Sequence, residues 1–131
     1  MKIFISHGSY DVWIASQMRR AVNELGVDTF LDAYDLRSGD RFRDRIKQEL
    51  RESDELLVLL TPFSRQPTWL ANEVGMAEML EKRIVPFMYG VTRDDLTRDG
   101  GLGVLEPLHL RELVEFDTYL AELKARTGDA R

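Results

Sequence analysis

The chain carries near its middle the segment Glu55-Leu56-Leu57-Val58-Leu59-Leu60, which is apolar at every position after the first. A strand without polar alternation is typical of a parallel sheet whose two faces are both covered by helices. Ile3-Phe4-Ile5 is a second apolar run, and Val27 to Leu31 and Ile84 to Met88 have the same character. The sequence therefore predicts four buried strands.

Between these strands the spacing of apolar residues becomes helical. From Asp11 to Leu25 the apolar side chains fall on one stripe, and Gly26 is placed to end that helix. Two further helices are predicted, one around Phe42 to Leu50 and one from Trp69 to Lys82. Strands that alternate with helices indicate an open parallel sheet joined by right-handed crossovers.

The end of the chain has a weaker pattern. Leu110 to Phe116 is predicted to contain a short fifth strand, and Asp117 is a candidate N-cap for a last helix from Thr118 to Arg126. The predicted fold class is α/β: a flavodoxin-like open parallel sheet of about five strands, in the order 2-1-3-4-5, with helices on both faces.

Composition limits the class of protein. At 131 residues the chain is predicted to form a single domain, 1–131. It has no cysteine, which excludes disulfides and thiolate chemistry, and with only two histidines a His-rich metal site is not expected. The net charge of −5 argues against nucleic acid or an anionic membrane as the main partner. The short apolar start does not resemble a signal peptide, so a cytoplasmic protein is expected.

A ligand site in such a sheet is expected beyond the carboxyl ends of the strands, where the strand order reverses. In the order 2-1-3-4-5 that position lies between the first and third strands. The segments from Ser6 to Asp11 and from Thr61 to Thr68 would line it.

Glu73 is an anomaly in the helix that follows the second of these segments. It falls inside the apolar sector of that helix, with Trp69 and Ala77 four residues away on either side. An isolated glutamate is almost never fully buried, so Glu73 either pairs with a cation or points into a cleft. Arg37 and Arg65 are the candidate cations for the first interpretation, and the position of Glu73 near the predicted crevice favours the second.

Several motifs are absent. The chain lacks the phosphate-binding G-x-x-x-x-G-K-[ST], the dinucleotide fingerprint G-x-G-x-x-G and the nucleophile elbow G-x-S-x-G. Ser6-His7 and Leu60-Thr61 occupy the places where a response-regulator receiver would carry its acidic residues.

Four segments in order resemble the TIR (Toll/interleukin-1 receptor) domain family in its bacterial form. Lys2 to Asp11 resembles the first box of the family, and Asp32 to Asp40 resembles its BB loop. Leu57 to Ser64 followed by Trp69 to Glu73 resembles the third strand and the W-x-x-x-E segment, and Arg83 to Phe87 resembles the fourth strand. The C-terminal F-W box of the family is not recognisable in this chain.

The resemblance implies an NAD+ glycohydrolase, which cleaves the bond between nicotinamide and ribose to give ADP-ribose or cyclic ADP-ribose. Glu73 lies four residues after Trp69, so the resemblance places the catalytic glutamate there. The expected substrate-binding residues are Ser6, His7, Gly8, Ser9, Asp11, Arg37 and Trp69. No general acid is needed, because the nicotinamide of NAD+ is already a cationic leaving group. NAD+ is the expected substrate, and neither a metal nor a cofactor is expected.

Five of the expected substrate-binding residues also have a structural interpretation. Trp69 is equally well explained as a core aromatic at a helix start, and Gly8 as a residue that permits a tight turn. Asp11 is better explained as a helix N-cap than as a ligand contact. His7 is interpreted as a loop residue beside the site, and Arg37 as a solvated side chain.

The resemblance also leaves the function open between classes. Many TIR domains are non-catalytic scaffolds that associate with one another through the BB loop, here Asp35 to Asp40. The two roles can coexist, because self-assembly completes the site in NAD+-cleaving members. A nucleoside 2-deoxyribosyltransferase-like enzyme is a third candidate, and bacterial members work in defence or signalling with a sensor domain or partner protein.

Overall fold

The computed structural model describes residues 1–31, 42–64, 68–97 and 110–128, apart from the side chains of residues 42, 43, 68–71, 97 and 128. The strands are β1 (Lys2–Ser6), β2 (Asp28–Leu31), β3 (Glu55–Leu60), β4 (Arg83–Met88) and β5 (Arg111–Glu112). The helices are α1 (Val12–Asn23), α2 (Phe42–Glu52), α3 (Thr68–Met79), α4 (Arg93–Thr97) and α5 (Phe116–Gly128). Short 3-10 helices lie at Ser9–Asp11, Pro62–Ser64 and Leu113–Glu115.

The five strands form one parallel sheet in the order β2-β1-β3-β4-β5. β1 and β3 are neighbours although a strand separates them along the chain, and Ile5 pairs with Leu57 between them. The predicted fold class and strand order are confirmed. The reversal of strand order lies between β1 and β3, where the sequence places the candidate site.

Apolar side chains cover both faces of the sheet. On one face Phe4, Leu56 and Val58 pack in a core with residues of α2, α3 and α4. On the other face Ile5 and Leu57 pack in a second core with residues of α1 and α5. Every residue of β3 is buried, which explains why this strand has no polar alternation.

The first helix ends as predicted. The amide of Gly26 donates to the carbonyl of Asn23, the last residue of α1 (2.9 Å). Gly26 has φ of +80°, a left-handed conformation that glycine adopts without the steric cost of a side chain.

One expectation near the end of the chain is corrected. Asp117 is not an N-cap, because α5 begins one residue earlier, at Phe116. The chain enters α5 through the 3-10 helix Leu113–Glu115, where Glu112 and Glu115 form a reciprocal capping box. The predicted short fifth strand is confirmed, because β5, Arg111–Glu112, lies within the range Leu110 to Phe116.

None of the helices within the described ranges is both long and apolar enough to cross a membrane.

Candidate active site

The loops that follow β1 and β3 meet at the carboxyl edge of the sheet. Ser6, the last residue of β1, pairs in register with Val58 of β3. Four polar residues are buried here, although loops normally lie at the solvated surface: Ser6, His7, Asp11 and Thr61. Buried polar side chains persist only where they find hydrogen-bond partners, so this edge is built around specific contacts.

Glu73 reaches this edge from the second turn of α3. It is 5% exposed, and its Oε1 accepts a hydrogen bond of 2.7 Å from the hydroxyl of Ser6. A hydrogen bond to an ionised acceptor is stronger than one between neutral groups, so Ser6 holds the carboxylate in a defined orientation. The structure thus brings together two residues that the sequence predicts for the site.

Helix α3 explains the burial of Glu73. Val74 and Ala77 on the same helix are fully buried in the core, as the predicted apolar sector requires. The helix is predicted to continue to Lys82, but α3 ends at Met79, and Leu80, which follows it, is 37% exposed. Glu73 therefore lies at the inner side of α3, toward the start of the helix.

A second contact joins the two loops. The Thr61 hydroxyl donates to Asp11 Oδ2 (2.7 Å), and the Thr61 amide donates to the Ser64 hydroxyl (3.0 Å). Asp11 occupies the N-cap position of α1 as predicted, but its side chain makes no capping hydrogen bond. The carboxylate of Asp11 instead accepts a hydrogen bond from the neighbouring loop and fixes the two loops against each other.

His7, Gly8 and Ser9 lie between Ser6 and Asp11. The buried His7 ring donates from Nδ1 to the Gly8 carbonyl (2.7 Å), and the Asp11 amide donates to the same carbonyl (3.0 Å). Gly8 has φ of −81°, so this turn does not depend on a conformation that favours glycine. Gly8 and Ser9 are exposed, with Ser9 at the start of the 3-10 helix.

Some of the predicted site residues fall outside the part of the chain that the structure describes. Arg37 and the BB loop from Asp35 to Asp40 fall outside the described residues, as does Arg65. Trp69 is placed in the first turn of α3 by its backbone, and its side chain is not described. Their predicted roles at the site stay predictions.

Two other buried glutamates have a different environment. Glu49 forms ion pairs with Lys2 and Arg45, and Glu55 contacts Tyr119 and Arg126. Glu55 is the first residue of β3, so it lies at the opposite edge of the sheet from Ser6. Burial with direct cationic partners is the usual structural arrangement for a carboxylate, and both of these glutamates lie near the starts of strands, away from Ser6.

Burial raises the pKa of the Tyr119 phenol well above its ordinary value, and the negative charge of Glu55 and their hydrogen bond add to the rise. The phenol therefore stays protonated and donates to the Glu55 carboxylate.

Three residues of the site were not singled out from the sequence. Thr61 and Ser64 hold the loop after β3, and a hydroxyl residue directly after a buried strand is the signal that points to such a role. Phe63 lies between them, exposed and in ring contact with Tyr10. No sequence pattern pairs these two rings, because they are 53 residues apart and meet only in the folded sheet.

In the described ranges, no three histidine, aspartate or glutamate side chains are grouped so that they would hold a metal ion.

Comparison with known proteins identifies relatives of this chain. The family model for the TIR domain matches residues 3–124. A probable 2′ cyclic ADP-D-ribose synthase of Brachypodium distachyon, BdTIR, is 26% identical over 129 residues, which is 97% of this chain and 58% of that protein. A probable 2′ cyclic ADP-D-ribose synthase of Brucella abortus, TcpB, is 34% identical over 100 residues, which is 72% of this chain and 40% of that protein.

A solved structure has the same fold. The crystal structure of the TIR domain of the Toll-related receptor TRR-2 from Hydra magnipapillata matches with a TM-score of 0.70 and 16% identity. The match covers 97% of this chain and 95% of that chain. The chain spans between two fifths and three fifths of the length of the two curated relatives described above.

Proposed function

Because the chain belongs to the TIR domain family, we propose that it cleaves NAD+ at the bond between nicotinamide and ribose, with Glu73 as the catalytic carboxylate. The products are nicotinamide and either ADP-ribose or a cyclic ADP-ribose. The names of the two relatives, each given as a probable 2′ cyclic ADP-D-ribose synthase, support this class of reaction.

The observation that carries the proposal is the hydrogen bond from Ser6 to Glu73. It holds a buried carboxylate at the switch point of the sheet, the position where α/β folds bind ligands. A carboxylate there is prearranged to stabilise positive charge, since its surroundings do not have to reorganise when the charge develops.

In the proposed reaction, Glu73 is the one protein group that acts on the reacting ribose. When the glycosidic bond breaks, nicotinamide leaves as a neutral molecule with the bonding electron pair. The ribose is left with oxocarbenium character, which the Glu73 carboxylate stabilises by its charge or traps as a covalent ester. Water then attacks the anomeric carbon and loses a proton, or an internal nucleophile of the same molecule attacks it and closes the ring. No metal or cofactor is part of the proposal.

The other expected residues have binding roles in this proposal. Trp69, one helical turn before Glu73, forms an aromatic wall for nicotinamide, and Arg37 pairs with phosphate. Gly8 and Ser9 offer donors to ribose or phosphate. Ser6 has a narrower role than its prediction as a substrate donor, because its hydroxyl donates to Glu73.

Self-assembly belongs to the same proposal. We expect copies of the domain to associate through the BB loop, Asp35 to Asp40, and to complete each other's sites. The activity per molecule should therefore rise with protein concentration. A rate strictly proportional to concentration over a wide range would contradict this part of the proposal. We further propose that the protein acts in the cytoplasm, in bacterial defence or signalling, under the control of a sensor domain or partner.

The experiment is to incubate concentrated protein with NAD+ and to separate the products by chromatography. Nicotinamide release that is lost in Glu73→Ala supports the proposal, and the second product separates hydrolysis from cyclisation. Absence of release, even with a crowding agent that forces assembly, would favour the non-catalytic scaffold. Transfer of deoxyribose from a deoxynucleoside to a free base would instead favour the 2-deoxyribosyltransferase-like enzyme.

A further inference from the structure

Two exposed aromatic rings contact each other beside the candidate active site. The ring centroids of Tyr10 and Phe63 are 5.2 Å apart, with 35° between the ring planes. Tyr10 is 80% exposed and Phe63 is 65% exposed. Aromatic side chains gain most when they are buried, so two of them held together at the surface form an apolar face that is ready for a flat ligand.

The backbone beneath the two rings is fixed by the contacts that build the site. Tyr10 lies in the 3-10 helix that ends at Asp11, and Asp11 accepts the hydrogen bond from Thr61. The Phe63 amide donates to the Thr61 hydroxyl (3.2 Å). One hydroxyl group, that of Thr61, therefore ties together the segments that carry both rings.

The rings also belong to the same two loops as the proposed catalytic machinery. Tyr10 is four residues after Ser6, and Phe63 lies in the loop that leads from β3 to α3, the helix of Glu73. The aromatic pair thus stands on the two loops that join at Thr61, and it is more exposed than Glu73, which is only 5% exposed.

We propose that Tyr10 and Phe63 form a stacking platform for the adenine base of the dinucleotide. This inference rests on the proposed function. The bond that breaks must reach the buried Glu73, which places nicotinamide in the interior of the site. The base at the exposed rim is then the distal one, adenine. Both side chains are uncharged, so they attract the flat π-face of a base rather than a phosphate.

Binding measurements with two half-ligands test the platform. ADP-ribose contains adenine and lacks nicotinamide, whereas nicotinamide mononucleotide contains nicotinamide and lacks adenine. The affinity of each is measured by NMR titration of the full chain in the Glu73→Gln background, which prevents turnover. Tyr10→Ala is expected to weaken ADP-ribose binding about tenfold, the typical effect of losing one base–aromatic stack, and to leave nicotinamide mononucleotide unaffected.

Three further variants sharpen the comparison. Phe63→Ala should weaken ADP-ribose binding in the same direction, and Tyr10→Phe, which keeps the ring, should retain the original affinity. Trp13→Ala is the matched control, because Trp13 is an aromatic residue that is 72% exposed and lies on α1, outside both loops. It should bind both ligands as the parent does.

Unchanged ADP-ribose affinity in Tyr10→Ala and Phe63→Ala would overturn the proposal. An equal loss for both ligands, or no binding of ADP-ribose by the parent protein, would also overturn it. The proposed function is judged separately by nicotinamide release from NAD+. A protein that binds ADP-ribose through Tyr10 but releases no nicotinamide would retain the platform and lose the proposed function.

Discussion

The hydroxyl of Ser6 and the carboxylate of Glu73 lie 2.7 Å apart, although 67 residues separate them along the chain. The contact joins the carboxyl end of β1 to the second turn of α3. It forms because the sheet order puts β3 directly beside β1, and α3 is the helix that follows β3 along the chain. The order of the strands is therefore what orients the proposed catalytic group.

Removal of the Ser6 hydroxyl should impair catalysis more than binding. In Ser6→Ala the Glu73 carboxylate loses a donor that fixes its orientation, so kcat for nicotinamide release should fall about ten- to 100-fold. The KM for NAD+ should change little. Ser16→Ala is the matched control, since the Ser16 hydroxyl also makes a 2.7 Å hydrogen bond, to the Trp13 carbonyl on α1. Wild-type kcat in a correctly folded Ser6→Ala protein would contradict the positioning role.

The hydrogen bond between Thr61 and Asp11 should show energetic coupling. Thr61→Val leaves the buried Asp11 carboxylate without that donor, and the free energy of unfolding should fall by about 1–3 kcal/mol. A double-mutant cycle with Asp11→Ala, measured by urea unfolding, should give a coupling energy of about 0.5–3 kcal/mol. Strictly additive effects would show that the two loops are held together by other contacts.

The phenol of Tyr119 should stabilise the protein in a pH-dependent way. Tyr119→Phe removes the hydroxyl that donates to Glu55, so the free energy of unfolding should fall by about 1–3 kcal/mol at neutral pH. The native pKa of Tyr119 is raised by burial and by Glu55. As the pH rises above about 10, the unfolded phenol releases a proton that the native phenol retains, and this contribution is lost.

The measurement for Tyr119 is urea unfolding of wild type and Tyr119→Phe across this pH range. The stability difference between them should shrink in alkaline solution. Tyr89→Phe is the control, because Tyr89 is 55% exposed, and its substitution should leave stability unchanged at every pH. A difference that stays constant into alkaline solution would contradict the account of Tyr119.

Two glycines should respond to alanine in opposite directions. Gly75 lies inside α3, and a Cβ added there meets no atom within 4 Å in the described residues outside the adjoining turns of its own helix, so Gly75→Ala should raise the free energy of unfolding by about 1 kcal/mol. Gly26 has φ of +80°, which a side chain disfavours, so Gly26→Ala should lower the free energy of unfolding by about 1–2 kcal/mol. Thermal unfolding of both variants checks the pair, and a loss of stability in Gly75→Ala would show that α3 cannot accept a side chain there.

Patterns in the sequence predict most of the fold because they are local. The apolar run from Leu56 to Leu60 predicts a buried strand, and the strand is observed over Glu55–Leu60. The alternation of strands and helices leads to the observed sheet order. The predicted cap at Asp117 is wrong because the capping box between Glu112 and Glu115 begins the helical turn earlier, and single-residue cap preferences do not register such a competitor.

Local sequence patterns predict only part of the candidate site. Glu73 stands out in the sequence because a carboxylate interrupts an apolar helix face, and in the structure its side chain is buried, as that position predicts. Its partner Ser6, and the link from Thr61 to Asp11, depend on contacts between segments that are distant in sequence. The sequence predicts which loops carry these residues, but which side chains form hydrogen bonds with each other depends on how the strands pack in the sheet.

The most direct test of the account is the initial rate of nicotinamide release from NAD+ by three proteins at one high concentration: wild type, Glu73→Gln and Glu78→Gln. Glu78 is an exposed glutamate on the same helix, so it controls for the loss of one negative charge from α3. Glu73→Gln is expected to lower the rate by about 100-fold or more, while Glu78→Gln retains the wild-type rate. Equal rates for Glu73→Gln and wild type would contradict the assignment of Glu73 as the catalytic carboxylate.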